Sequence, residues 1–188
     1  LVLAGVITAA IQRKNFLHHL KFGRIEVWAT LVIAITVITR IAFIKIYPYP
    51  AWSDSLHHTL ITKLVATNGR LPYTLEPFAS TPLDMYHLGL YALSGSLAYL
   101  ARIPAHTALL WTAQFLNGLC GLGIYFVLSR SKHPIGGIIG LIFAGLFSFQ
   151  PAWYANWGRF TQLASQAIIL FAWWMTVETI KTSDNSPI

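Results

Sequence analysis

MYHLGLYALSGSLAYL, residues 85–100, is the stretch on which the topology of this chain turns. Read as a membrane crossing, it places Arg130 and Lys132 outside and Arg159 inside; read as a helix lying in the interface, it reverses both. The apolar run is only about fifteen residues long, against the roughly 20 needed to cover about 30 Å of hydrocarbon. It also carries His87, Gly89, Ser94, Gly95 and Ser96, which is polar for a crossing. The basic residues decide in the same direction, because cytoplasmic loops carry the Lys and Arg excess. The interfacial reading leaves seven inside (Arg13, Lys14, Lys21, Arg24, Arg130, Lys132, Lys181) and four outside (Lys63, Arg70, Arg102, Arg159). The crossing reading leaves six and five. The run is therefore read as interfacial.

Composition fixes the broader class. The 188 residues are 55% hydrophobic and only 10% charged, with a mean hydropathy of +0.58, and apolar runs of near-bilayer length recur. This predicts an all-α, polytopic transmembrane helix bundle. The net charge of +7 fits loops facing a cytoplasmic membrane surface. No long basic run is present, so nucleic acid is not expected as a partner, whereas membrane lipids are. Cys120, the single cysteine, lies in an apolar segment and forms no intrachain disulfide.

Outward from the deciding stretch, the pattern predicts one membrane domain over 1–188, read as a piece of a longer chain. Residues 1–11 are expected to end a preceding membrane helix and 12–24 to form a cytoplasmic loop. Residues 25–47 cross outward, with Arg40 and Lys45 snorkelling at the far end. An outer loop spans 48–104 and contains interfacial helices. In it, Ser53 caps a helix that runs to about Thr67 and ends at Gly69, with Leu56, Leu60 and Leu64 forming an apolar face. Crossings follow at 105–128, 135–151 and 160–180. Gly136, Gly137, Gly140 and Gly145 are expected to let helices approach, and Trp153, Tyr154 and Trp157 to form an aromatic belt.

Chemistry concentrates in the outer loop. Three of the six acids, Asp54, Glu76 and Asp84, fall between membrane segments. Asp54 opens a helix with His57 and His58 at i+3 and i+4, a spacing that lets all three share a ligand. The alternative reading is that Asp54 only favours the helix N-terminus and that the histidines are packing residues. Glu76 reads as a solvated turn carboxylate, and Asp84 either as that or as a metal partner. His87 binds a substrate or satisfies a buried carbonyl. Arg159, in NWGRFTQ beside Trp157 and Gln162, suits bidentate phosphate binding or membrane anchoring. Arg70 and Arg102 are lesser cation candidates.

The order of these features resembles the polytopic glycosyltransferases of the GT-C type, such as protein O-mannosyltransferases and aminoarabinose transferases. The likeness rests on Asp54 in WSDSLHH, on NGRLP at 68–72 and on PLDMYHLG with Tyr86 and His87, and it spans roughly residues 25–180. It implies a polyprenyl-phosphate-linked sugar donor, an active site facing outward from the plasma membrane, and a divalent metal ion as a possible cofactor. Asp54 would then be the catalytic base or a metal carboxylate, with His58 and Asp84 completing a metal site. His57, His58, Arg70, His87, Arg159 and Gln162 would bind substrate. The chain departs from many relatives in having no acid in YANWGRFTQ. Two other readings compete with transfer chemistry. A transporter or channel segment would place polar residues midway along the crossings, where Thr30, Thr36, Thr39, Gln114 and Asn117 are the exceptions to an apolar pattern. A non-catalytic membrane scaffold would not act on lipid-linked sugars.

Overall fold

The computed structural model describes residues 23–184. The expected preceding helix at 1–11, and all but the last two residues of the expected loop at 12–24, lie outside them. Among the described residues the chain is helical and no strand forms; Thr74 and Pro82 make one isolated bridge. The elements are α1 (Arg24–Phe43), α2 (Asp54–Asn68), α3 (Gly89–Ala101), α4 (Ala105–Arg130), α5 (Pro134–Ile142), a π-helical turn (Phe143–Phe147), α6 (Phe149–Asn156) and α7 (Phe160–Asp184). Three helices are long and apolar enough to cross a membrane: α1, α4 and α7 over Phe160–Lys181.

α4 is the central post and packs against every other helix. Small residues make that possible, since Ala108 and Ala113 are fully buried and Gly118, Gly121 and Gly123 face neighbouring helices. A Cβ on Gly118 would lie 2.8 Å from the Val37 Cα of α1, and one on Gly123 would lie 2.9 Å from the Leu170 Cβ of α7. The expected close approach also holds at Gly137, Gly140 and Gly145, but Gly136 has only His133 Cβ nearby, at 3.8 Å.

The segment expected to cross at 135–151 is not one helix. α5 and the π-helical turn end at Ser148, whose ψ of 132° is extended, and α6 restarts at once. Pro151 supplies a reason: proline is tolerated in the first turn of a helix but not in its interior, and the break places it in the first turn of α6. The 14 residues Pro134–Phe147 reach about 21 Å at 1.5 Å per residue, less than a hydrocarbon core of about 30 Å. α3 is likewise short. Its 13 residues cover about 20 Å, consistent with the interfacial reading of 85–100.

α2 and α3 pack on each other beside one end of α4. The expected Leu56–Leu60–Leu64 face holds in part: Leu64 is buried and Leu60 packs against the core, but Leu56 is 75% exposed. Ser55, His58, Ile61, Thr62, Leu64 and Val65 turn inward. Polar pairing explains the shift, because Thr62 and Ser94 share a hydrogen bond of 3.0 Å and His58 bonds the Tyr91 hydroxyl. Gly95 permits the close crossing, with Thr62 O 3.2 Å from where its Cβ would stand. Ser53 makes no capping hydrogen bond, being helical itself, and Ser55 Oγ donates to the Ala51 carbonyl. The C-terminal expectation holds: Gly69 takes φ 65° and its N–H reaches Val65 O at 2.9 Å. Between the two helices, the loop folds back through Leu83 N–H to Tyr73 O at 2.8 Å. It buries Leu75 and Leu83 while Glu76 and Asp84 stay exposed.

Candidate functional site

The site begins with a turn that only glycine makes easily. α6 ends as Gly158 adopts φ 68° and the Arg159 N–H reaches back to Tyr154 O at 2.9 Å, a Schellman motif. The same glycine lies against α2, where an added Cβ would sit 2.9 Å from Ser55 Oγ. Arg159 is thereby set at the start of α7, accepting the Leu163 N–H at 3.0 Å through its carbonyl. Its guanidinium stacks over Trp157 at 5.0 Å and points toward α2.

There it meets Asp54. Arg159 Nη1 stands 3.7 Å from Asp54 Oδ2, with the side chains 42% and 52% exposed. Such a loose, wet pair contributes about 0–1 kcal/mol to stability, so folding alone gives little reason for it. Both side chains open into one cavity of about 260 Å³, shared with His57, His58, Tyr86, His87, Thr161 and Gln162.

Three helices begin at this cavity. α2 starts at Asp54, α3 starts two residues after His87, and α7 starts at Phe160, beside Thr161. Each helix N-terminus carries roughly half a positive charge. Added to Arg159, they make the cavity a place where anionic oxygen is favoured, and Asp54 is its own carboxylate there.

His58 closes the floor. It is 5% exposed, bonds Tyr91 through Nδ1 and hydrogen-bonds the Gly158 backbone. Burial pushes its pKa down to about 4, against the opposing pull of Asp54 and the Gly158 hydrogen bond, so the ring is neutral at pH 7. Tyr91 is fully buried; burial first, and then a hydrogen bond with Tyr86, push its pKa up. The string Tyr86–Tyr91–His58–Gly158 thus ties both short helices to the α6–α7 turn.

Of the residues expected from the sequence, Asp54, His57, His58, His87, Arg159 and Gln162 share the cavity; Arg70 and Asp84 do not line it. The expected metal trio of Asp54, His58 and Asp84 does not assemble, and among the described residues no group of three His, Cys, Asp or Glu is placed to hold an ion. The physical reason is that Asp84 faces outward on the loop while His58 turns into the core to bond Tyr91 and Gly158. Tyr86, Thr161 and Tyr91 were not among the expected site residues. A signal for Tyr91 was available: Ser55, His58 and Thr62 fall on one helical stripe, and Tyr91 and Ser94 on a matching one. No protein-family model, curated protein or solved structure matches this chain.

Arg40 also departs from expectation. Instead of snorkelling, it turns into the helices, where Nη2 donates to the Gly145 carbonyl of the π-helical turn at 2.6 Å.

Proposed function

We propose that this chain carries the active site of a polytopic membrane glycosyltransferase of the GT-C type, moving a sugar from a polyprenyl-phosphate-linked donor to an acceptor at the outer face. One observation carries the reading: a carboxylate and a guanidinium share a cavity at which three helix N-termini converge, beside helices long enough to cross a membrane. Arg159 and the helix N-termini would hold the departing phosphate, while Asp54 takes the proton of the attacking hydroxyl. In that step the acceptor oxygen bonds the sugar's anomeric carbon, the carbon–oxygen bond to phosphate breaks, and the electron pair leaves with the phosphate. The Asp54–Arg159 pair must open to admit both partners, which its 3.7 Å separation and half-exposure favour.

The test uses purified full-length protein and polyprenyl-phosphate sugars, with transfer followed by mass spectrometry. Asp54→Asn keeps size and removes charge, so transfer should vanish while folding is unchanged. Arg159→Lys keeps charge but loses the planar fork, and donor binding should weaken by roughly 1.5 to 3 kcal/mol. Wild-type turnover in the Asn variant would remove Asp54 from the mechanism.

A further inference from the structure

A second cavity lies between α1, α4 and α6, apart from the Asp54 site. Its inner part, about 120 Å³, is lined by Arg40 and by the amides Gln114, Asn117 and Asn156. A wider part of about 220 Å³ shares Phe43, Gln114, Trp153 and Asn156 with it and continues to Tyr47, Tyr49 and Trp52. The two form one cleft that runs from an aromatic mouth, past the end of α1, to a guanidinium.

The charge at its base is unusual. Arg40 sits in the last turn of a helix apolar enough to cross a membrane, where an ionisable side chain is costly and is normally matched by a partner. Among the described residues no carboxylate pairs with it: Asp54 pairs with Arg159, Glu178 pairs with Lys181, and Arg40 has only the Gly145 carbonyl. Its Nε is buried without a hydrogen-bond partner. Gln114 and Asn117, 4% and 3% exposed, are held in place by Asn117 Nδ2 donating to Gln114 Oε1 at 3.1 Å. Buried amides offer both donors and acceptors, and they surround the cation without neutralising it.

The geometry points to an anion-binding site in this cleft, taking a phosphate group with Arg40 as its charged ligand and the amides as hydrogen-bonding walls. A guanidinium is the side chain best shaped for phosphate oxygens. The aromatic mouth suits the membrane–water boundary, where Tyr and Trp concentrate. The phosphate is carried by an anionic lipid headgroup or arrives free in solution, and both present the same chemistry to Arg40.

Thermal unfolding of the full-length protein in detergent tests this with two probes: a short-chain phosphatidylglycerol and inorganic phosphate. A ligand that binds only the folded state raises the midpoint in proportion to its affinity. Wild type should be stabilised by at least one probe; a response to the lipid alone identifies a headgroup, and a response to inorganic phosphate identifies a soluble ion. Arg40→Gln should weaken that response roughly tenfold or more in apparent affinity, the scale of a lost charge-assisted hydrogen bond. Asn156→Leu fills the cleft and leaves Arg40 in place, so it should do the same, and it decides the matter alone if Arg40→Gln does not fold. In an Arg159→Gln background, which removes the cation of the Asp54 cavity, the response should persist and still be lost on adding Asn156→Leu, separating this cleft from that cavity. No stabilisation of wild type by either probe overturns the assignment, as does an undiminished response in Asn156→Leu and in a folded Arg40→Gln.

Discussion

The α2–α3 pair and the α1–α4–α7 group solve the same packing problem with opposite chemistry. Where α2 meets α3, a string of hydroxyls and one imidazole does the joining: Thr62 to Ser94 at 3.0 Å, and His58 to Tyr91. Where α1 and α7 meet α4, glycines join by absence, with Gly118 against Val37 and Gly123 against Leu170. Between helices apolar enough to cross a membrane, close backbone approach and dispersion carry association. The short pair lies beside the candidate site, and there the hydrogen bonds also fix orientation. The long-helix contacts tolerate no added volume; the α2–α3 contact, which also closes over Gly95, depends in addition on its polar atoms.

That contrast is broken most severely at Gly118. Gly118→Leu drives side-chain atoms into Val37, whose Cα is already 2.8 Å from an added Cβ, and backbone cannot step aside as a side-chain tip can. We expect a loss of about 3 kcal/mol or more, the top of the overpacking range, read as a lowered unfolding midpoint. A stable Gly118→Leu protein would mean that α1 and α4 are not this close.

A smaller effect belongs to the polar mode. Tyr91→Phe preserves shape and leaves His58 Nδ1 buried without its partner, which should cost about 1 to 2 kcal/mol. An unchanged midpoint would show that the hydroxyl contributes nothing to the α2–α3 contact.

A pH dependence tests the same contact at His58. His58 has its pKa pushed down to about 4 from an ordinary 6.5. Between those values the unfolded chain takes up a proton that the folded chain refuses, so stability falls as pH falls from 6.5 toward 4. Above 6.5 both states are neutral at His58 and the contribution is complete. Comparing midpoints at pH 7 and 4.5, His58→Gln should show a shallower drop than wild type, and an equal drop would place the proton uptake elsewhere.

How much of this was legible in the sequence follows from the same two modes. Charges are rare here, so Asp54 and Arg159 stood out and do share a cavity. Gly69 ended α2 as a left-handed cap because glycine carries its own conformational signal. The inward face of α2 was legible only in part, since the leucine stripe points inward at Leu60 and Leu64 but not at Leu56, and Ile61, off that stripe, is buried. The polar stripe of Ser55, His58 and Thr62 was the better guide. Arg40 was misread because a snorkelling arginine and one turned into a cleft share the same position near a helix end. The break at Ser148 had a local signal in Pro151, which a helix interior does not accept, whereas nothing in the residues around Asp84 marked it as lying outside the cavity.

The separation between Asp54 and Arg159 has a consequence for biosynthesis. Their cavity needs two residues 105 positions apart in the chain. At about 5 to 20 residues per second, Asp54 is made roughly 5 to 20 s before its arginine. During that interval Asp54 has water in place of its cation, and His58 has no Gly158 backbone to bond. The pocket is completed only when the Gly158 turn sets Arg159 at the start of α7, beside α2.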